Sequence, residues 1–197
     1  MKNKKYSIVG IIFTIIITIC FIWSMFQMFN NEVLFKGNIE KIKKRNKIDT
    51  YKNLEKIIEA QDNFMKQDWN NDGIFSYAEF LVHLWKTFDQ NGEPVKVDLI
   101  PKKLAFAMGT TRTISGYYFL DIRSKEIEKK ESIKLDYQKE WAIAAFPAEK
   151  DSGELIFMVG VNKNIYAQEK TGFIDTYPSD PEISGWEKIE KISQIGD

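Results

Sequence analysis

Leu155-Ile156-Phe157-Met158-Val159-Gly160-Val161-Asn162, with Trp141-Ala142-Ile143-Ala144-Ala145-Phe146-Pro147 just upstream, decides the fold. Both runs are short and rich in aromatic and β-branched residues, and charged or Gly/Asn-containing segments bound them, which is the pattern of strands. The unbroken apolar character of 143–146 and 156–161 predicts central strands with a helix laid over them. Asn162-Lys163-Asn164 suits a tight hairpin into a strand at 165–168, and Asp151-Ser152-Gly153 suits a turn between the two central runs. A further strand is expected at 114–122, while the mostly charged stretch 125–140 reads as an exposed excursion. The expected product is an antiparallel sheet of about four strands.

Upstream, Tyr51, Leu54, Ile57, Ile58, Gln61, Phe64 and Met65 recur at helical spacing with charges between them. This predicts an amphipathic helix over 49–67, capped by Asp49 or Thr50, whose stripe faces the core. A short helix is expected near Pro101 within an otherwise irregular stretch, 91–113. The fold class is therefore α+β.

Directly after that helix comes Asp68-Trp69-Asn70-Asn71-Asp72-Gly73-Ile74-Phe75-Ser76-Tyr77-Ala78-Glu79, which matches a twelve-residue EF-hand calcium loop at each position. Calcium takes ~6–8 oxygen ligands, so Asp68, Asn70 and Asp72 at alternate positions supply side-chain oxygens. Gly73 makes the sharp turn. Ile74 contributes its carbonyl, Ser76 its hydroxyl directly or through water, and Glu79 both carboxylate oxygens. Phe75 is expected to anchor the loop inward. Phe80, Leu81, Leu84 and Phe88 continue at helical spacing, which predicts helices flanking the loop on both sides. The alternative is an Asx-rich turn that holds no metal. EF-hands usually pair, and the later segment Asp89-Gln90-Asn91-Gly92-Glu93-Pro94 has its glycine misplaced and a proline where a loop must turn.

The first part of the chain is of another kind. Residues 8–29, IVGIIFTIIITICFIWSMFQMF, contain Gln27 as the one strongly polar side chain, and the stretch is long enough for a helix crossing a hydrocarbon core of ~30 Å. Lys2, Lys4 and Lys5 precede it. The run exceeds the ~7–15 residues of a signal-peptide core and no small-x-small cleavage site follows, so an uncleaved signal anchor is expected. Ile19 stands where a lipoprotein box before Cys20 would need a small residue. The basic leader ending at Gly10 resembles a prepilin signal, with Ile15 in place of its glutamate. Gly10, Thr14 and Thr18 share one helix face at small-xxx-small spacing, a pattern that permits close helix packing. Residues 30–48 read as a basic juxtamembrane linker. The charge pattern predicts a single-pass protein with its N-terminus cytoplasmic and the domain 49–197 extracytoplasmic.

Composition narrows the function. With 28 Lys+Arg against 28 Asp+Glu, the chain lacks the basic excess that nucleic-acid binding needs. One cysteine, Cys20, and one histidine, His83, cannot build a disulfide framework or a common zinc site. No nucleophile elbow, P-loop or zinc-protease motif occurs, so an enzyme is not expected and no small-molecule substrate is identified.

Several segments carry a resemblance. Gly116-Tyr117-Tyr118-Phe119, Ala144-Ala145-Phe146-Pro147-Ala148-Glu149, Ser152-Gly153-Glu154-Leu155-Ile156-Phe157, Val161-Asn162 and Ile165-Tyr166, with Asn71-Asp72-Gly73 and Asn91-Gly92-Glu93-Pro94 before them, are similar to the bacterial family catalogued as domain of unknown function 2950 and its pseudopilin-like relatives. The resemblance implies a pilin-like envelope protein: an apolar N-terminal helix, a following helix on an antiparallel sheet, and no established activity or catalytic residues. The expected function is a membrane-anchored structural or interaction module, stabilised by calcium, that meets an envelope partner or assembles with itself. The alternatives are a calcium-responsive regulator and a pseudopilin subunit.

Overall fold

The computed structural model describes residues 8–127, 131–169 and 172–195, with the side chains of 8–14 and 29–34 outside the description. The Lys2, Lys4 and Lys5 flank lies outside the described residues. Two compact units are present, Met1–Lys41 and Ile42–Asp197.

Helix α1 spans Ile8–Phe64 without a break. Asp49 and Thr50 are interior helical residues, not a cap, and the segment 30–48, expected as a basic linker, is part of the same helix. No Gly or Pro interrupts 38–64, and its Lys, Glu and Arg are good helix formers. Among the described residues no helix is long and apolar enough to cross a membrane. The expected transmembrane helix is therefore not supported by the described residues, whose side chains cover 15–28 of the apolar run. Gly10, Thr14 and Thr18 lie on the helix; the surroundings of the first two are outside the description and Thr18 is exposed.

In the second unit, the main sheet contains β3 (Tyr117–Ile122), β6 (Ala142–Pro147), β7 (Leu155–Gly160), β8 (Ile165–Glu169) and β10 (Glu187–Ile189), in the order β10-β8-β7-β6-β3, every pair antiparallel. The hairpin at Lys163, which has φ of 61° and donates its N–H to Gly160 O at 2.8 Å, joins β7 and β8 as expected. Within this sheet the strand that sequence reading missed is β10, a mostly charged edge of three residues. A smaller sheet, β5-β4-β9, joins β4 (Ser124–Glu126), β5 (Ser132–Lys134) and β9 (Thr176–Tyr177), with β4 and β9 parallel. β1 (Lys86–Phe88) and β2 (Pro94–Lys96) form a separate hairpin, and the short helix α2 (Lys102–Ala105) follows Pro101.

Alternation along the strands divides the core. Ile143, Ala145, Phe157 and Val159 face Leu54, Ile57, Ala60 and Phe64 of α1. Ala142, Ala144, Phe146, Ile156 and Met158 face the opposite way, covered by Leu135, Trp186 and Tyr177. The segment 125–140 is therefore only partly exposed: Leu135 is buried and Tyr137 packs beside it. An apolar residue every second position in a charged run is enough to plate a sheet face.

Polar residues of α1 also reach the sheet unit. Asn46 Nδ2 donates to Ser152 O at 3.0 Å, and Lys43 Nζ pairs with Glu154 Oε1 at 2.6 Å. The β6–β7 turn sits close to Tyr117, whose hydroxyl donates to Leu155 O at 3.0 Å and whose ionisation is suppressed first by burial and then by Glu154. A Cβ on Gly153 would lie 2.2 Å from that hydroxyl oxygen, and Tyr117 is fully buried and has no room to withdraw. Gly153→Ala is expected to lower stability by about 1–3 kcal/mol through overpacking, read as a fall of roughly 3–10 °C in Tm.

Candidate functional site: a cleft beside the 68–79 loop

The loop turns as its sequence dictates. Asp68 accepts the Asp72 N–H at 3.2 Å through Oδ1 and the Gly73 N–H at 2.8 Å through Oδ2. Asp72 accepts the Ile74 N–H at 2.7 Å and the Asn70 side-chain amide at 2.7 Å. Gly73 has φ of +81°, a conformation that a side chain would strain. The base of the loop is closed by Gln61, buried on α1, whose side-chain amide donates to Ala78 O at 3.0 Å and accepts the Ala78 N–H at 2.9 Å.

The expected exit helix is absent. After Glu79 the chain makes a 3₁₀ turn, Leu81–Leu84, and enters β1. Asp121 Oδ1 accepts the Leu81 N–H at 2.8 Å, and Leu84 O accepts the Leu99 and Ile100 N–H groups. The helical spacing of Leu81 and Leu84 thus serves a single turn, where both are buried, and the paired hairpin takes the chain from there. Phe75 is 52% exposed instead of anchoring the loop, and Phe88 is 56% exposed. The tip of the β1–β2 hairpin rests on the loop, with the Gln90 N–H donated to Asn70 O at 3.1 Å.

Between loop, hairpin and Tyr137 lies a cleft of about 300 Å³. Of the predicted calcium ligands, Asn70, Ile74, Ser76 and Glu79 line it, whereas Asp68 and Asp72 do not. Among the described residues no group of three or more His, Cys, Asp and Glu is placed to hold a metal ion. Asp68 and Asp72 instead bind the loop's own N–H groups, although each carboxylate oxygen keeps a second lone pair. An oxygen-only site would draw on carbonyls and hydroxyls as well as carboxylates, so the set still suits a hard cation by chemistry.

Sequence reading missed the other half of the cleft, which Tyr137, Trp69 and Thr87 help to line. Behind it lies Asp121, on β3, with Oδ2 buried and unpartnered. Burial raises its pKa to about 6 and the Glu79 charge adds to this, against the Leu81 hydrogen bond and Arg123. His83 is shifted the opposite way, mainly by burial, and is neutral at pH 7. One signal was available: Asp121 is a lone carboxylate in the apolar run of β3.

No family model matches the chain, and neither a curated protein nor a solved structure matches it.

The folded-state pKa of Asp121 lies above the unfolded value of ~3.9, so the native chain holds this proton more tightly. Its contribution is full below about pH 4 and is lost as the pH rises through about 6, on the order of 2–3 kcal/mol. Asp121→Asn, which keeps an acceptor for Leu81, should therefore raise Tm at pH 8 and give little gain at pH 4. Thermal melts across that range measure it.

Proposed function

We propose that the chain is a membrane-anchored, non-enzymatic structural or interaction module of a bacterial cell envelope. Residues 8–29 are the anchor, the N-terminus is cytoplasmic, and the unit Ile42–Asp197 is extracytoplasmic. The carrying observation is the exposure of every described side chain over 15–28, ten of them large and apolar at 52–71% exposure. An apolar surface of that extent requires a cover, and hydrocarbon supplies one around a helix whose backbone is internally satisfied.

Calcium is the second part of the reading. Asp68, Asn70, Asp72, the Ile74 carbonyl, Ser76 and Glu79 would hold it, and the ion would stiffen the connection from α1 to the sheet that Gln61 already closes. The turn at Gly73 and the placement of four of these residues on one cleft support this. The packing of Leu54 and Ile57 of the long helix α1 on an antiparallel sheet also favours a second reading, a pseudopilin subunit that assembles through its helix.

Two measurements test the proposal on the full chain. Reconstituted into phosphatidylethanolamine–phosphatidylglycerol vesicles, it should float with lipid and resist alkaline carbonate, and the double substitution Ile17→Lys with Phe21→Lys should release it. Recovery of the native chain in the carbonate supernatant would reject the anchor. In a sugar-free zwitterionic detergent, calcium at ~10 Kd should add about 1.4 kcal/mol, a rise of roughly 3–6 °C in Tm that Glu79→Gln abolishes. An unchanged Tm at ~10 mM calcium would reject the ion.

A further inference from the structure

We propose that the chain binds a second copy of itself head to tail, with the acidic 180–185 turn of one copy seating Ile183 on the basic face of the β1–β2 hairpin of the next. The inference deepens the interaction-module reading by naming a partner, and it rests on that reading alone, not on the anchor or the ion.

Each half of the contact is a feature that the single fold leaves without a use. In the hairpin Lys86 stands directly opposite Lys96, and Phe88 opposite Pro94. The Val97 N–H bonds Trp85 O and the Asp89 N–H bonds Glu93 O, so alternation makes 86–96 and 88–94 the non-hydrogen-bonded pairs, whose side chains stand closest. Like charges placed so destabilise a hairpin. The Lys86 ammonium lies 5.9 Å from the centre of the Phe88 ring, and among the described residues no carboxylate pairs with it. Lys96 meets Asp98, yet its side chain stays 80% exposed, and an ammonium carries three donors. Two cations and two apolar side chains thus share one open face.

The complementary feature lies in 172–187, which holds Asp175, Asp180, Glu182 and Glu187 and no Lys, Arg or His. Buried Pro181 and Trp186 pin its tip at both ends. Asp180 Oδ1 accepts the Glu182 and Ile183 N–H groups at 3.1 Å each, and the Trp186 N–H closes on Pro181 O at 2.9 Å. The turn so held presents Ile183 at 86% exposure, the highest among the described large apolar side chains. An isoleucine lifted into solvent beside a carboxylate suits a surface where apolar and cationic groups stand side by side. Phe88 and Pro94 answer Ile183, and Lys86 and Lys96 answer Glu182.

Topology makes the contact intermolecular. Leu84, Val97 and Ile100, around the hairpin, pack on the α1 side of the main sheet, whereas Ile174 and Trp186 pack on the other side. Within one chain the sheet therefore stands between the two features. The contact is heterologous: a copy that uses one feature keeps the other free, so copies add in a row or close into a ring. A turn on a hairpin falls below the ~1,200 Å² of stable complexes, so the contact is weak and reversible between isolated chains.

Cross-linking of the full chain tests this, in excess zwitterionic detergent with chelator present and with the one cysteine removed by Cys20→Ser. Phe88→Cys chains mixed with Ile183→Cys chains and treated with a short bis-maleimide should give an 88–183 dimer. A chain carrying both substitutions should give a ladder beyond the dimer. Glu182→Lys added to the Ile183→Cys chain should lower the yield about fivefold, as should Lys86→Glu with Lys96→Glu added to the Phe88→Cys chain, and mixing the two reversed chains should restore it. The proposal is overturned by an 88–183 yield no higher than that between Ile183→Cys and Arg45→Cys, an exposed basic position elsewhere, or by a yield indifferent to both reversals. A dominant 183–183 product would also overturn it, while leaving an interaction module that meets its copy through another face. The sample holds neither bilayer nor calcium, so the flotation and calcium results stand apart from this one.

Discussion

The two hydrogen bonds from the Gln61 side chain to the backbone of Ala78 fix where the 68–79 segment leaves α1 and returns to it. A primary amide has a donor and an acceptor at one end, and here both are spent on the N–H and C=O of a single buried residue. The bonds join positions 17 apart, so they close the last turn of α1 and the whole 68–79 segment into one ring. The next residue back, Tyr77, donates its N–H to Tyr137 O at 2.8 Å, tying the same neck to the chain entering β6. Through these three bonds α1, the 68–79 segment and Tyr137, which all contribute to the cleft lining, are joined. An apolar side chain at 61 would leave two buried backbone groups unpaired, each at roughly 1–3 kcal/mol.

That neck explains how a glycine-turned, Asx-rich loop keeps one shape. The carboxylates of Asp68 and Asp72 satisfy the loop's inner N–H groups, and Gln61 satisfies its base. The tip is free to bear Phe75 and Ile74 at the surface. On the sheet side, Asp121 is held between Leu81 and the charges of Arg123 and Glu79, so the 3₁₀ turn and β3 share one carboxylate.

Where packing repeats at a fixed period, the sequence made the fold legible. The apolar runs of β3, β6, β7 and β8, the Lys163 hairpin and the stripe of Leu54, Ile57 and Phe64 all followed from spacing. Elements that depend on distant partners did not. Helix α1 runs through Asp49 and Thr50 because nothing there breaks it, and a good cap residue inside a helix cannot be told from one at its start. Strands β4, β5, β9 and β10 are two or three residues long, with too little alternation to register. At the site, the loop motif was visible from its spacing, and the exit helix was wrong because two leucines suit one 3₁₀ turn as well as a helix. The contributions of Tyr137 and Asp121 come from segments far along the chain, and only the fold brings them to Glu79.

The parallel pairing of β4 with β9 imposes an order on how the molecule is built. Ser124 meets Thr176 across a separation of 52 residues, and between them the chain makes β6, β7 and β8. The second sheet therefore cannot close until the segment that carries Thr176 has been synthesised. Until then Phe146, Ile156 and Met158 stand without Trp186 and Tyr177 over them. A chain released early, or held with its C-terminus still in a ribosome or translocation channel, would carry an open apolar sheet face. Completion of this sheet face thus waits on the segment that carries Tyr177 and Trp186, and the interval before it is when the face is most exposed to proteases and to misassociation.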